Sequence, residues 1–128
     1  MLEPQVVAVL TQLKQRYELF AASNGLLQMQ LARLERAQLK HFFTDIYVSD
    51  AVGYAKPNPL FFEHCLKASQ LDSAAVLMIG DSLEADMLGA YQSSIDRCWY
   101  NPKQKKLSQE CPLTFEINCL SELLVHLL

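Results

Sequence analysis

At 128 residues with 51% hydrophobic content, the chain has apolar material for one packed domain and too much for a disordered one. Eleven basic against 14 acidic side chains leave a net charge of -3 and a pI near 5.5. The charges are scattered apart from a short Lys103, Lys105, Lys106 cluster, which argues against a nucleic-acid partner held on a basic face.

Pro4 suits the first turn of a helix, and Val6, Val7, Leu10 and Leu13 recur at near-helical spacing up to Lys14. Tyr17 to Ala22 is a short apolar run, expected to be a buried strand, and Ser23-Asn24-Gly25 is a turn that stops it. Leu27, Leu31, Leu34 and Leu39, with Gln and Arg between them, predict an amphipathic helix. Phe43 to Ser49 reads as a second strand, and a loop from Asp50 to Pro57 leads to Asn58-Pro59, an N-cap followed by proline at the first helical position. That helix is expected to run to about Ser69, with Asp72 capping a brief turn after it.

Val76 to Ile79 is a continuous apolar run of the kind expected of a parallel strand covered on both faces, and it ends abruptly at Gly80-Asp81. Met87, Leu88 and Tyr91 predict a short helix, Ile95 to Tyr100 a strand, Asn101-Pro102 a break, Thr114 to Ile117 a short strand and Ser121 to Leu128 a closing helix. Strand and helix alternate with short links, so the class is α/β, layered helix-sheet-helix with parallel strands joined by crossovers. No repeat or linker divides the sequence, and one domain spanning residues 1–128 is expected. Cys65, Cys98, Cys111 and Cys119 form no C-x-x-C pair and no His completes a zinc cluster, so reduced, mostly packed thiols are expected. No run reaches the roughly 18 apolar residues of a membrane span and no secretory signal is seen, which predicts a cytoplasmic protein with no membrane partner.

In open α/β sheets ligands bind outside the carboxyl ends of the strands. The first strand ends in Ser23-Asn24-Gly25, the second leads to Lys56-Pro57, and the third ends in Gly80-Asp81 with Asp86 five residues on. A hydroxyl and backbone N–H groups at a helix start can hold phosphate oxygens, which suits Ser23, Asn24 and Gly25; a helix cap and turn would use the same three residues. Lys56 could neutralise a phosphoryl group or a carboxylate, although loop lysines are usually solvated. Asp81 and Asp86 are hard oxygen donors of the kind magnesium takes; alternatively, Asp81 caps the helix of Met87 and Asp86 complements its dipole.

Three strand ends thus offer a phosphate donor, a cation and carboxylates. That combination, in this order, resembles the haloacid dehalogenase-like (HAD) superfamily: LFAASNG for its second motif, GYAKPNPLFF for its lysine motif and VLMIGDSLEADMLGA for its fourth. The stretch from Pro4 to Pro102 is covered, and the run to Trp99-Tyr100-Asn101 also resembles the pyrimidine 5′-nucleotidase branch. The resemblance implies a Rossmann-like parallel sheet, a small phosphorylated substrate and Mg2+ as cofactor. It implies that Ser23 bonds the transferring phosphoryl, with Asn24 and Gly25 shaping its loop, and that Lys56 neutralises charge between nucleophile and phosphate. Asp81 would bind the metal, and Asp86 would support the metal waters or orient Lys56. Catalysis in the family is phosphoryl transfer to an aspartate, then hydrolysis, with a second aspartate two residues later as general acid and base.

The six aspartates, Asp45, Asp50, Asp72, Asp81, Asp86 and Asp96, include no two separated by a single residue. The D-x-D motif that closes the family's first strand is thus absent, as is the cap domain that follows it, and the resemblance is to a C-terminal core fragment. In the family the absent strand lies between those matching Val76 to Ile79 and Tyr17 to Ala22. Its slot is a gap of roughly 10 Å, two strand spacings. The expectation is that the two neighbours pair directly, or that a strand-exchanged homodimer or a complementing N-terminal segment fills the slot. Two functions follow: part of a magnesium-dependent phosphatase, inactive by itself, or a nonenzymatic phosphate- or metal-binding, regulatory domain. A response-regulator receiver domain shares a loop lysine and acidic residues but has paired N-terminal acids that are missing here.

Overall fold

The computed structural model describes residues 5–107 and 111–128; Pro4 lies outside them. Their order is α1 (Val6–Lys14), β1 (Phe20–Ser23), α2 (Leu27–Arg36), β2 (Asp45–Val48), α3 (Ser49–Val52), α4 (Pro59–Ser69), β3 (Leu77–Gly80), a π-helical segment Leu83–Leu88, α5 (Gly89–Gln92), β4 (Asp96–Tyr100), β5 (Phe115–Ile117) and α6 (Glu122–Leu127). Short 3-10 turns lie at Lys40–Phe42 and Ser73–Ala75. Every strand pair is parallel, and the class is α/β as expected.

The chain falls into two compact units, Met1–Ala51 with Leu120–Leu128, and Val52–Cys119. In the first, α1 buries Val6, Val9 and Leu13; the helix is where its spacing predicts, but the buried face differs from the expected one, with Val7 exposed, Leu10 half-buried and Val9 in their place. Val6 packs with Leu39 and Phe42, and Leu10, Leu19 and Leu34 close around them. β1 pairs with β2 in register Phe20↔Asp45 to Ser23↔Val48. The strand is shorter than the run Tyr17 to Ala22 suggested: Tyr17 lies before it, its hydroxyl donating to the Leu127 carbonyl at 2.6 Å.

In the second unit β4 lies between β3 and β5. Met87, Trp99 and Cys111 form its buried cluster, with Met78, Leu83 and Leu113 against it. Phe61, Ile117 and Cys98 are fully buried as well, and a fully buried Phe or Ile contributes about 1.5–3 kcal/mol by leaving water. α4 begins as its sequence requires, with the Asn58 side chain accepting from the Leu60 N–H at 2.9 Å and Pro59 in the first turn. Asp72, by contrast, makes no side-chain cap to its turn.

Two expectations about the sheet need correction. The strand around Val76 to Ile79 does not pair with that around Tyr17 to Ala22: β1 and β2 form one sheet, and β3, β4 and β5 another. Nor is β3 covered as its apolar run suggested. All four of its residues are only half-buried, because β3 is the end strand of its sheet and pairs with β4 on one side. A terminal strand retains solvent exposure that a central one loses, whatever its sequence.

Candidate functional site

Ser23 closes β1, and its hydroxyl donates to the carbonyl of Asn24 at 3.2 Å. Gly25 follows at φ 140°, a conformation that excludes a β-carbon at little cost only in glycine. Two backbone donors at the start of α2 are already engaged: Gly25 N–H donates to Ser49 Oγ at 2.8 Å and Leu27 N–H to Asp50 Oδ1 at 3.0 Å. Asp50, which reads as loop in the sequence, thus places a carboxylate over the first turn of α2, where it complements the helix dipole. For a phosphate this leaves the Ser23 hydroxyl and its turn as the feature of interest, and it makes Gly25 a shaping residue.

In the second unit the geometry is tighter. The Asn58 N–H donates to the Ala55 carbonyl at 2.9 Å, closing a turn in which the Lys56–Pro57 peptide is cis. The turn presents Lys56 to Asp86, with Nζ 2.6 Å from Oδ1 and both side chains buried, 9% and 7% exposed. The second oxygen of Asp86 accepts from the Ser82 N–H at 3.2 Å. Both carboxylate oxygens are therefore engaged by donors of the chain. Of the two roles the resemblance leaves open for Asp86, this arrangement favours orienting Lys56. Asp81 differs: it follows β3 directly and is exposed, while its main-chain carbonyl accepts the Trp99 indole N–H at 3.0 Å. Asp81 does not cap the segment of Met87. Ser82 does, accepting from the Ala85 N–H at 2.9 Å.

Two glycines make this packing feasible. A β-carbon on Gly80 would lie 2.5 Å from Asp86 Cγ and 2.6 Å from its Cβ, distances at which the carboxylate would have to move. A β-carbon on Gly89 would come within 2.5 Å of the Phe62 ring and 3.2 Å of Pro57 Cα, so Gly89 allows the Lys56–Pro57 turn to approach the segment carrying Asp86. Ser82 and Gly89 were not singled out by sequence reasoning, and Trp99 was noted only in the stretch that resembles the nucleotidase branch. A small residue three positions after Asp86 was the available signal for Gly89, and a tryptophan beside the last residue of a strand was the signal for Trp99, since a buried indole N–H seeks an acceptor.

The donor set fits magnesium in part. Magnesium takes one or two carboxylates and completes its shell with waters and substrate phosphate, and Asp81 offers one exposed carboxylate. Among the described residues no group of three or more His, Cys, Asp and Glu is placed to hold a metal ion.

Cys65 lies half-buried on α4, and burial pushes its thiol up from 9.0 to about 12, against the opposing charge of Lys56. The thiolate is the nucleophilic form, so the burial of Cys65 works against its acting as a nucleophile at neutral pH. A raised pKa suppresses reactivity below about 12, and at pH 8 alkylation of Cys65 by iodoacetamide is expected to run roughly a thousandfold slower than that of an unperturbed thiol. Mass-spectrometric labelling rates check this, with the rate rising as pH climbs from 9 towards 12. Cys98 and Cys111 are buried, and none of the four cysteines is in a disulfide. No described helix is long and apolar enough to cross a membrane.

The sequence matches the family model described as haloacid dehalogenase-like hydrolase over residues 2–100. It is 36% identical over 116 residues to the HAD-hydrolase YfnB of Bacillus subtilis, covering 90% of this chain and 49% of that protein. It is 32% identical over 121 residues to the pyrimidine 5′-nucleotidase YjjG of Escherichia coli, covering 94% and 54% respectively. The crystal structure of YfnB bound to magnesium superposes on 99% of this chain and 56% of its own, with a TM-score of 0.95 and 34% identity. The chain spans about half the length of the curated relatives it matches.

Proposed function

Because the chain belongs to the haloacid dehalogenase-like hydrolase family, we propose that it is the C-terminal part of a magnesium-dependent phosphatase acting on small phosphate monoesters. Nucleoside 5′-monophosphates are the substrate class to test first, by similarity to a relative named as a pyrimidine 5′-nucleotidase. The observation that carries the reading is the buried Lys56–Asp86 pair beside the strand end that bears Asp81. Burying an ammonium and a carboxylate costs several kcal/mol of desolvation per ion, and an apolar pair would fill the same space without that cost. A fixed positive charge at a strand end is what a phosphoryl group needs.

In this reading Asp86 orients Lys56, and Lys56 neutralises the phosphoryl oxygens as charge develops on them. Ser23 donates its hydroxyl to the phosphoryl, with Asn24 and Gly25 holding its turn, and Asp81 supplies a carboxylate to magnesium. Bound magnesium would offset phosphate charge and fix the substrate's orientation. The nucleophile and the general acid are the two aspartates of a D-x-D strand contributed by a complementing segment, since a second copy of this chain carries no such pair.

The chain by itself is therefore expected to give no turnover of an aryl phosphate with magnesium, because Ser23, Lys56, Asp81 and Asp86 can hold phosphate and cation but none of them forms the phosphoryl-enzyme. Release of the coloured phenolate, measured against a buffer blank, checks this. Turnover lost on Asp81→Ala would sink the assignment of the nucleophile to another segment. The absence of a D-x-D pair among the six aspartates also supports a second reading, a nonenzymatic phosphate- or metal-binding domain.

A further inference from the structure

The sequence has one tryptophan, and the fold buries it to 2% exposure. Trp99 lies on β4, where its neighbour Gly80 on β3 is its register partner. Its ring packs with Met87 and Cys111 against Met78, Leu83 and Leu113, and its indole N–H donates to the main-chain carbonyl of Asp81 at 3.0 Å. For packing alone a phenylalanine would suffice, and a buried indole N–H without an acceptor would cost about 1–3 kcal/mol. The acceptor it has is the carbonyl of the residue that turns the chain out of the sheet.

We propose that Trp99 is a positioning residue for a divalent cation at Asp81, holding the peptide after Asp81 so that its exposed carboxylate is presented in one place. This rests on the reading of Asp81 as the cation ligand. A carboxylate at an exposed strand end would otherwise lose main-chain as well as side-chain freedom on binding, and ordering it beforehand removes part of that cost. Groups that hold a metal ligand in place are typically worth about 10- to 100-fold in metal affinity. Trp99 fixes the ligand's backbone and not its carboxylate, so the lower end of that range applies. Met87 and Leu83 belong to the same cluster and to the π-helical segment that carries Asp86, so the indole ties the Asp81 carbonyl to the packing of that segment within one unit.

Manganese(II) provides the probe, since its free ion is counted directly by electron paramagnetic resonance. In the 128-residue chain Asp81→Asn is expected to abolish manganese binding, and Trp99→Phe, which keeps an aromatic ring but removes the N–H, to weaken it about tenfold. Leu113→Ala opens the same cluster without touching the indole bond and is expected to lower stability while leaving manganese affinity within about twofold. Intrinsic emission adds a measurement that needs no variant in the cluster. Magnesium at a saturating concentration is expected to alter Trp99 fluorescence in the wild-type chain but not in Asp81→Asn. Binding unaffected by Asp81→Asn would overturn the cation-ligand reading itself. Binding lost in Asp81→Asn but weakened no more by Trp99→Phe than by Leu113→Ala, or Trp99 emission indifferent to bound magnesium, would overturn the positioning role and leave that reading standing.

Discussion

Asp86→Ala is expected to lower the unfolding free energy of the chain by about 3–5 kcal/mol, the cost of stranding one partner of a buried ion pair. Lys56 and Asp86 are 9% and 7% exposed and 2.6 Å apart, so Asp86→Ala removes the ammonium's nearest counter-charge at a place where burial limits its hydration. The Ser82 N–H, which donates to the other carboxylate oxygen, loses its acceptor in the same step. The combined variant Lys56→Met with Asp86→Asn removes both charges, keeps an acceptor for Ser82 and nearly preserves side-chain volume. It is expected to return to within about 1 kcal/mol of the wild type, since uncharged replacements of buried pairs are often neutral or better. Urea denaturation of the three proteins measures both differences. A loss below about 1 kcal/mol for Asp86→Ala, the value of an exposed pair, would show that the pair is solvated in solution.

The parts of this site that were legible in the sequence are those whose chemistry is local. Asn58-Pro59 announces a helix start because the amide side chain and the fixed proline φ act within one turn, and the structure places α4 there. Lys56, Asp81 and Asp86 stood out because they follow the carboxyl ends of strands, where open α/β sheets bind ligands, and together offer a cation and carboxylates. Their mutual arrangement was not legible. The approach of Lys56 to Asp86 depends on a clearance at Gly89 against Phe62 and Pro57, a contact between segments some thirty residues apart. Likewise, the apolar residues Met87, Leu88 and Tyr91 signal a helix but cannot distinguish the π-helical winding of Leu83–Leu88 from an α-helix, and such windings are frequent at functional sites. The exposure of β3 was misread for a different reason: an apolar run records the surroundings a strand is suited to, and its neighbours in this chain supply only one side.

Supplying a segment that carries the D-x-D strand of a family member, mixed with the chain or joined to it by a flexible linker, is expected to raise aryl phosphate turnover from the buffer blank to a rate typical of enzymes, on the order of 1 s⁻¹ or more. The size of the effect follows from what is added. Electrostatic groups such as Lys56 lower a barrier that already has a nucleophile, whereas without one they have no bond to form. In the complemented protein Lys56→Ala is then expected to cost about 10²–10³ in kcat, the usual loss when one pre-oriented donor to a developing negative charge is removed. The stability-matched variant Lys56→Met with Asp86→Asn is expected to lose as much, which separates the charge's role in turnover from its role in folding. A complemented protein that binds the added segment but remains at the blank rate with aryl phosphates and nucleoside monophosphates alike would decide for the nonenzymatic reading. Binding of phosphate through Lys56, with no bond broken, would then be the function that keeps a buried charge at this strand end.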